Sequence, residues 1–275
     1  VSAPSGTGSA PVLTGSAREL SGLLVIAQRD VIKLLRDRPR LAVNLAFPVL
    51  LIGGLGAILQ PTVGRFTGLN AVTLAFTGVL AASLFQSAAA GMISIVEDRE
   101  NDFSRELFVT PVSRLTLVAG KVTGETLVAF CQGALIVAFA VGFGVRMSPG
   151  QLAALVAPCL ACCLLGGGFG LATIAALPNQ RSAMQIFQFL IIPQYILAGV
   201  LVPLSAVPSY LDVAAHVMPM SYVVELTRAA FYAGTPGYRL VVSGSPLLDA
   251  AVAGALMVIF VIAGAAVFGY RERTR

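Results

Sequence analysis

Six largely apolar runs, at residues 41–59, 69–96, 117–145, 152–177, 182–202 and 246–270, decide what this chain can become. A helix crossing the hydrocarbon core of a bilayer takes roughly 17–25 residues, and each run is long enough. Lipid offers no water to the backbone, so each run must close its hydrogen bonds within itself as an α-helix. Composition agrees. The chain is 57% hydrophobic and 11% charged, whereas a soluble domain carries about 25% charged residues. The expected fold is an all-α polytopic membrane protein with six transmembrane helices. Pro48, Pro158 and Pro193 fall inside runs and each lacks a backbone donor, so bends are expected there.

Basic residues orient the helices. Six crossings put both termini on one side, and fourteen of the eighteen Lys and Arg residues then share that side. The other side holds Arg65, Arg146, Arg228 and Arg239. This asymmetry predicts a multi-pass protein of the inner or plasma membrane with both termini, and the connection after the second run, in the cytoplasm.

The stretches outside the runs complete the plan. Residues 1–15 are rich in Ser, Gly, Ala and Pro and are expected to be disordered. No cleavable signal peptide is expected in the first 40 residues, which lack a charged start followed by an apolar core. Ser16 and Glu19 have capping-box spacing, and apolar residues then recur at helical spacing up to Pro39. Residues 16–38 are therefore expected to form an amphipathic helix, lying in the membrane interface or packed on the cytoplasmic end of the protein. Residues 203–245 contain apolar pieces too short to cross, so short helices at the outer face are expected. One membrane domain, 16–275, accounts for the rest.

The inventory excludes several chemistries. His216 is the single histidine, and no His-Glu-x-x-His pattern exists. Catalytic residues and metal ligands are therefore expected to be none. Cys131, Cys159, Cys162 and Cys163 all lie in apolar runs and read as small buried packing residues. No Gly-x-x-x-x-Gly-Lys-Ser/Thr loop occurs, so the chain itself should bind no nucleotide and hydrolyse none. Gly166 and Gly170 have the small-xxx-small spacing of close helix packing. The net charge of +5 is spread over short connections, and no nucleic-acid partner is expected.

Polar side chains at membrane depth are costly and tend to face a bundle interior or a pathway. Ser83, Gln86, Ser87 and Ser94 share one face of the second run; Arg181, Gln185 and Gln188 follow i, i+4, i+7 spacing in the fifth. In the third, Lys121, Glu125 and Gln132 recur at i, i+4 and i+11. Gln86, Glu125, Gln185 and Gln188 are candidates for a substrate path. The plainer reading is interhelical hydrogen bonding, with a Lys121–Glu125 pair near the cytoplasmic boundary.

Between the second and third runs the chain becomes sharply charged. Residues 97–106 hold five acids (Glu97, Asp98, Glu100, Asp102, Glu106) and two arginines (Arg99, Arg105). Phe103 and Leu107 stand at i, i+4. Such a helix cannot sit in lipid. It suits a groove on a cytosolic subunit, or packing on the protein's own cytoplasmic ends.

Glu97-Asp98-Arg99-Glu100, then Leu107-Phe108-Val109-Thr110-Pro111-Val112-Ser113-Arg114, then Gly120-Lys121, resembles the signature of type-2 ABC transporter permeases (ABC-2 family), and most of all the daunorubicin-resistance type of drug exporter. A second match follows in the right order: Leu197-Ala198-Gly199-Val200-Leu201-Val202-Pro203-Leu204, then Met218-Pro219-Met220-Ser221-Tyr222-Val223-Val224-Glu225-Leu226-Thr227-Arg228. The resemblance implies a coupling helix at 97–110, with Glu97, Asp98, Glu100, Phe103, Arg105 and Leu107 seated against a separate ATP-binding subunit that carries ATP and Mg. It implies that 16–38 is the family's interface helix. It implies a second permease chain, identical or related. It also implies an outer gate that includes Pro203, Pro219, Tyr222, Glu225 and Arg228. The expected function is the membrane subunit of an ATP-driven exporter of a drug-like, lipid or other amphipathic compound. Export of a polysaccharide or teichoic-acid-like polymer, or ion-coupled transport by the chain alone, are the alternatives.

Overall fold

The computed structural model describes residues 32, 36, 38–94, 96, 114–174, 177–201, 203 and 209–273. Among these, ordered secondary structure is helical throughout and no strand occurs. The N-terminal expectations, disorder over 1–15 and a helix over 16–38, fall almost wholly outside the described residues, as does the charged segment.

Helix α1 (Arg38–Leu50) passes through a π-helical turn (Leu51–Leu55) into α2 (Gly56–Thr67) without a break. The widened turn follows Pro48, which lacks a donor, and contains Gly53 and Gly54, which hold a helix weakly. Gly68 ends α2 in the left-handed region, at φ +69°. Asn70 then starts α3 (Ala71–Gly91), its Oδ1 accepting from the Val72 and Thr73 N–H groups at 2.9 and 3.2 Å. Gln60 Oε1 accepts from the Ala71 N–H at 2.7 Å and pins the turn between α2 and α3.

Helix α4 (Arg114–Gly142) returns antiparallel to α3, since Leu84, Ser87 and Gly91 meet Gly133, Gln132 and Glu125 in turn. Ser148 and Gln151 form a reciprocal capping box at the start of α5 (Pro149–Ile174), with bonds of 2.9 and 3.2 Å. Asn179 caps α6 (Gln180–Leu197) through the Ser182 N–H at 2.8 Å. Three short helices follow, as the sequence leads one to expect: α7 (Ser209–Val217), α8 (Pro219–Tyr232) and α9 (Tyr238–Val241). Helix α10 (Pro246–Arg273) completes the order.

The bundle is built around α3, the most enclosed of the long helices, while α10 is the least enclosed. Helix α5 lies against α3 with backbone touching backbone. A Cβ at Gly166 would overlap the Phe85 carbonyl oxygen, and one at Gly170 that of Ala89. This is the close approach that small-xxx-small spacing serves in a membrane. Phe169 bridges Phe85 of α3 and Phe260 of α10, with ring centroids 5.4 and 5.7 Å away. On the outside, Ile58, Phe189, Ile196, Leu247 and Ile262 are largely exposed, as side chains that face lipid should be.

Among the described residues, five helices are long and apolar enough to cross a membrane: Leu41–Arg65, Ala71–Gly91, Gly120–Gly142, Pro149–Ile174 and Pro246–Val267. The chain is thus an all-α polytopic membrane protein. The expected run at 182–202 is the exception. Its helix, α6, stops at Leu197 and contains Gln180, Arg181, Gln185, Gln188 and Gln194, so it falls below the other five in apolar character. Cys159, Cys162 and Cys163 are buried as expected, but Cys131 is exposed on α4. Helical spacing turned it away from α3 and α5.

Candidate functional site

Two polar nodes stand out in this apolar bundle, one toward each end of α3. The first lies beside the charged segment, which connects the end of α3 to the start of α4. Glu97, Asp98, Glu100, Phe103, Arg105 and Leu107 themselves lie outside the described residues. Lys121 Nζ sits 3.1 Å from Glu125 Oε1, and both side chains are buried. The Glu125 carboxylate occupies the notch left by Gly91 of α3, where a Cβ would overlap it. Two turns further from the charged segment, Ser87 Oγ donates to Gln132 Oε1 at 2.6 Å. Beyond it Gly133 faces Leu84, whose Cδ2 would lie 2.7 Å from an added Cβ. These contacts fix the register of α3 against α4 from residue 84 to residue 91. The Lys121–Glu125 spacing read from the sequence is realised as an ion pair.

The second node is at the opposite end, where α8 is wedged among α3, α5, α6 and α10. Pro219 occupies its first turn, where a missing N–H costs nothing. The helix is too short to cross a membrane, and most of its side chains are buried. Polar contacts tie it to its neighbours. Gln194 Oε1 of α6 accepts from the Met220 N–H at 3.3 Å, and Gln151 Nε2 of α5 donates to the Phe231 carbonyl at 2.9 Å. Ser221 Oγ and Tyr222 hydroxyl donate to the Ala215 and His216 carbonyls of α7, at 2.6 and 2.7 Å.

At the centre of α8, Arg228 has no exposed surface. Its Nη2 donates to the Val200 carbonyl at 3.1 Å, and its Nη1 stands 3.8 Å from Glu225 Oε1. Glu225 Oε2 accepts from the Ser243 N–H at 3.0 Å, reaching the loop before α10. This helix lies outside the five apolar spans. Burial raises the Glu225 carboxyl above its ordinary range, against the downward pull of the Ser243 N–H and Arg228. Burial likewise lowers Arg228, against Glu225.

The candidate gate residues Pro219, Tyr222, Glu225 and Arg228 therefore share one helix, and Pro203 is buried just beyond Val200. The candidate path residues do not meet within one chain. Gln86 is half-buried on α3 and Glu125 is held by Lys121, whereas Gln185 and Gln188 are exposed on α6. The sequence reading passed over Gln194, Gln151 and Ser243. Gln194 alone carried a usable signal, an amide within the apolar C-terminal half of α6.

The family model for ABC-2 type transporters matches residues 21–232, which include the charged segment, the first node and helix α8. The chain belongs to the ABC-2 type transporter family. A relative in Cyanophora paradoxa, named "Putative transport permease ycf38", is 24% identical over 210 residues, covering 75% of this chain and 72% of its own length. This ABC-2 chain is a multi-pass membrane transport component. Among its described residues, no three His, Cys, Asp or Glu side chains gather where they could hold a metal ion.

Proposed function

We propose that this ABC-2 chain is the membrane-spanning permease subunit of an ATP-driven exporter. It moves a drug-like, lipid or other amphipathic compound out of the cytoplasm, using a separate ATP-binding subunit that carries ATP and Mg. The observation that carries this reading is the lock that Ser87–Gln132, and Glu125 in its glycine notch, make between α3 and α4, the two helices that residues 97–113 connect in sequence. A push on that segment displaces α3 and α4 as one body. Because α3 also carries contacts to α5 and α8, the displacement reaches the opposite end, where α8 serves as the outer gate. In this reading Glu97, Asp98, Glu100, Phe103, Arg105 and Leu107 dock on the ATPase, residues 16–38 lie along the cytoplasmic interface, and both termini are cytoplasmic.

Helix α6 supplies the sixth crossing and the contact with a second permease chain. Gln185 and Gln188 are exposed on α6, and an amide facing lipid is unfavourable. Across a pair of chains these amides line a shared path with Gln86. Glu125 argues against ion coupling by the chain alone, since its carboxylate is already matched by Lys121.

Reconstitution in vesicles with a fluorescent amphipathic dye tests the reading. Dye export should require ATP and the co-purified ATPase, and be unchanged by an imposed proton or sodium gradient. Gradient-driven transport by the chain alone, without ATP, would replace the exporter by an ion-coupled carrier. A labelled polysaccharide exported in place of dye would move the substrate class to polymers.

A further inference from the structure

We propose that the Arg228–Glu225 pair is a charged latch for α8: it grips the end of α6 while dry, and its hydration is what makes the opened position of α8 reachable. The Val200 carbonyl that Arg228 grips lies in the turn after α6, where Gly199 reverses the chain at φ +71°. Gly78 of α3 lies directly against the same point. A Cβ there would overlap the Val200 oxygen and stand 3.1 Å from Arg228 Nη2. Three elements thus meet at one guanidinium, with no room to shift while it stays in place. Through Glu225 and the Ser243 N–H, the same pair also holds the loop that leads into α10.

The pair is not built for stability alone. An arginine and a carboxylate that stabilise a fold face each other fork to fork at hydrogen-bond distance. Here the separation is 3.8 Å, and Arg228 Nε, Arg228 Nη1 and Glu225 Oε1 are buried without a hydrogen-bond partner. A half-satisfied buried charge pair is generally worse than apolar side chains of the same volume. What it offers instead is a second state. When α8 swings away from α6, water reaches the guanidinium and the carboxylate, and this hydration offsets the packing lost. Apolar replacements gain nothing on opening. The two positions of α8 are therefore close in free energy because the latch is charged.

The inference rests on the export reading only in calling this motion a gate, so its test requires neither ATP nor a substrate. The full chain in lipid nanodiscs is compared with the double variant Glu225→Leu/Arg228→Met by thermal unfolding and by hydrogen exchange. The double variant should melt at or above the wild-type temperature, while amide exchange over 194–203 and 219–232 slows about tenfold, because opening has lost its hydration gain. Wild-type exchange in a double variant of wild-type stability would overturn the latch and leave the pair as packing. Should the double variant fail to fold, Arg228→Lys decides. It keeps the charge but loses the planar fork, so exchange over 198–201 should rise with little change in melting temperature. Unchanged exchange there would equally overturn the proposal. Gradient-driven dye transport would sink the exporter reading and leave the exchange result standing.

Discussion

Leucine at Gly170 should leave the chain unable to assemble its central bundle. At this position even a methyl group would overlap the Ala89 carbonyl oxygen, which belongs to the backbone of α3 and cannot rotate aside. Nor can α3 retreat, because Ser87 holds it to Gln132 of α4 on another side. Overpacking of this kind costs about 1–3 kcal/mol when the extra group is small, and more when it is large. Gly170→Ala should therefore lower the melting temperature of the purified protein, and Gly170→Leu should abolish recovery of a monodisperse species. Gly166→Leu should behave alike, through Phe85. Gly254→Leu is the control, since nothing lies within 4 Å of a Cβ on that face of α10. Recovery of Gly170→Leu at the wild-type level would mean that α3 and α5 do not touch as described.

Arg228→Met alone should destabilise strongly, and in a pH-dependent way. Removing one member of a buried pair leaves the other uncompensated, at a cost of about 3–5 kcal/mol. Glu225 limits the loss by binding a proton. Burial already raises its carboxyl, and without Arg228 one of the groups pulling it down, beside the Ser243 N–H and His216, is gone. A carboxyl whose pKa is higher in the folded state than in the unfolded state contributes stability below its ordinary range. That contribution disappears as pH rises through the folded value. The deficit relative to wild type should thus be smaller at about pH 5 than at about pH 8, as read by thermal unfolding at both pH values. A deficit that is constant, or greater in acid, would show that Glu225 is not the partner left behind.

Much of the architecture was legible because lipid leaves the backbone so few choices. Apolar length located five of the spans, and the pieces too short to cross became α7 to α9. Helical spacing paired Lys121 with Glu125 and marked Gly166 and Gly170 as a contact face. Spacing says which residues share a face, not what that face meets. Gln185 and Gln188 followed the same logic as Glu125, yet they point out of the single chain. The decisive contacts of α8 were hidden for another reason. Arg228 and Gln151 bond main-chain carbonyls far away in sequence, at Val200 and Phe231, and Glu225 accepts from the Ser243 N–H. Any residue supplies such a carbonyl or N–H, so no pattern of side chains announces it.

The proposed docking of residues 97–110 on a separate ATP-binding subunit has a direct consequence for purification. It is tested most directly by gentle purification of the full chain from its native membranes, wild type beside Glu97→Lys/Glu100→Lys, with every co-purifying protein identified. A stoichiometric ATP-binding subunit should accompany the wild type and be lost from the double variant, while the variant still inserts and folds. A stable wild-type preparation without any ATPase, or one whose ATPase survives the charge reversal undiminished, would contradict it.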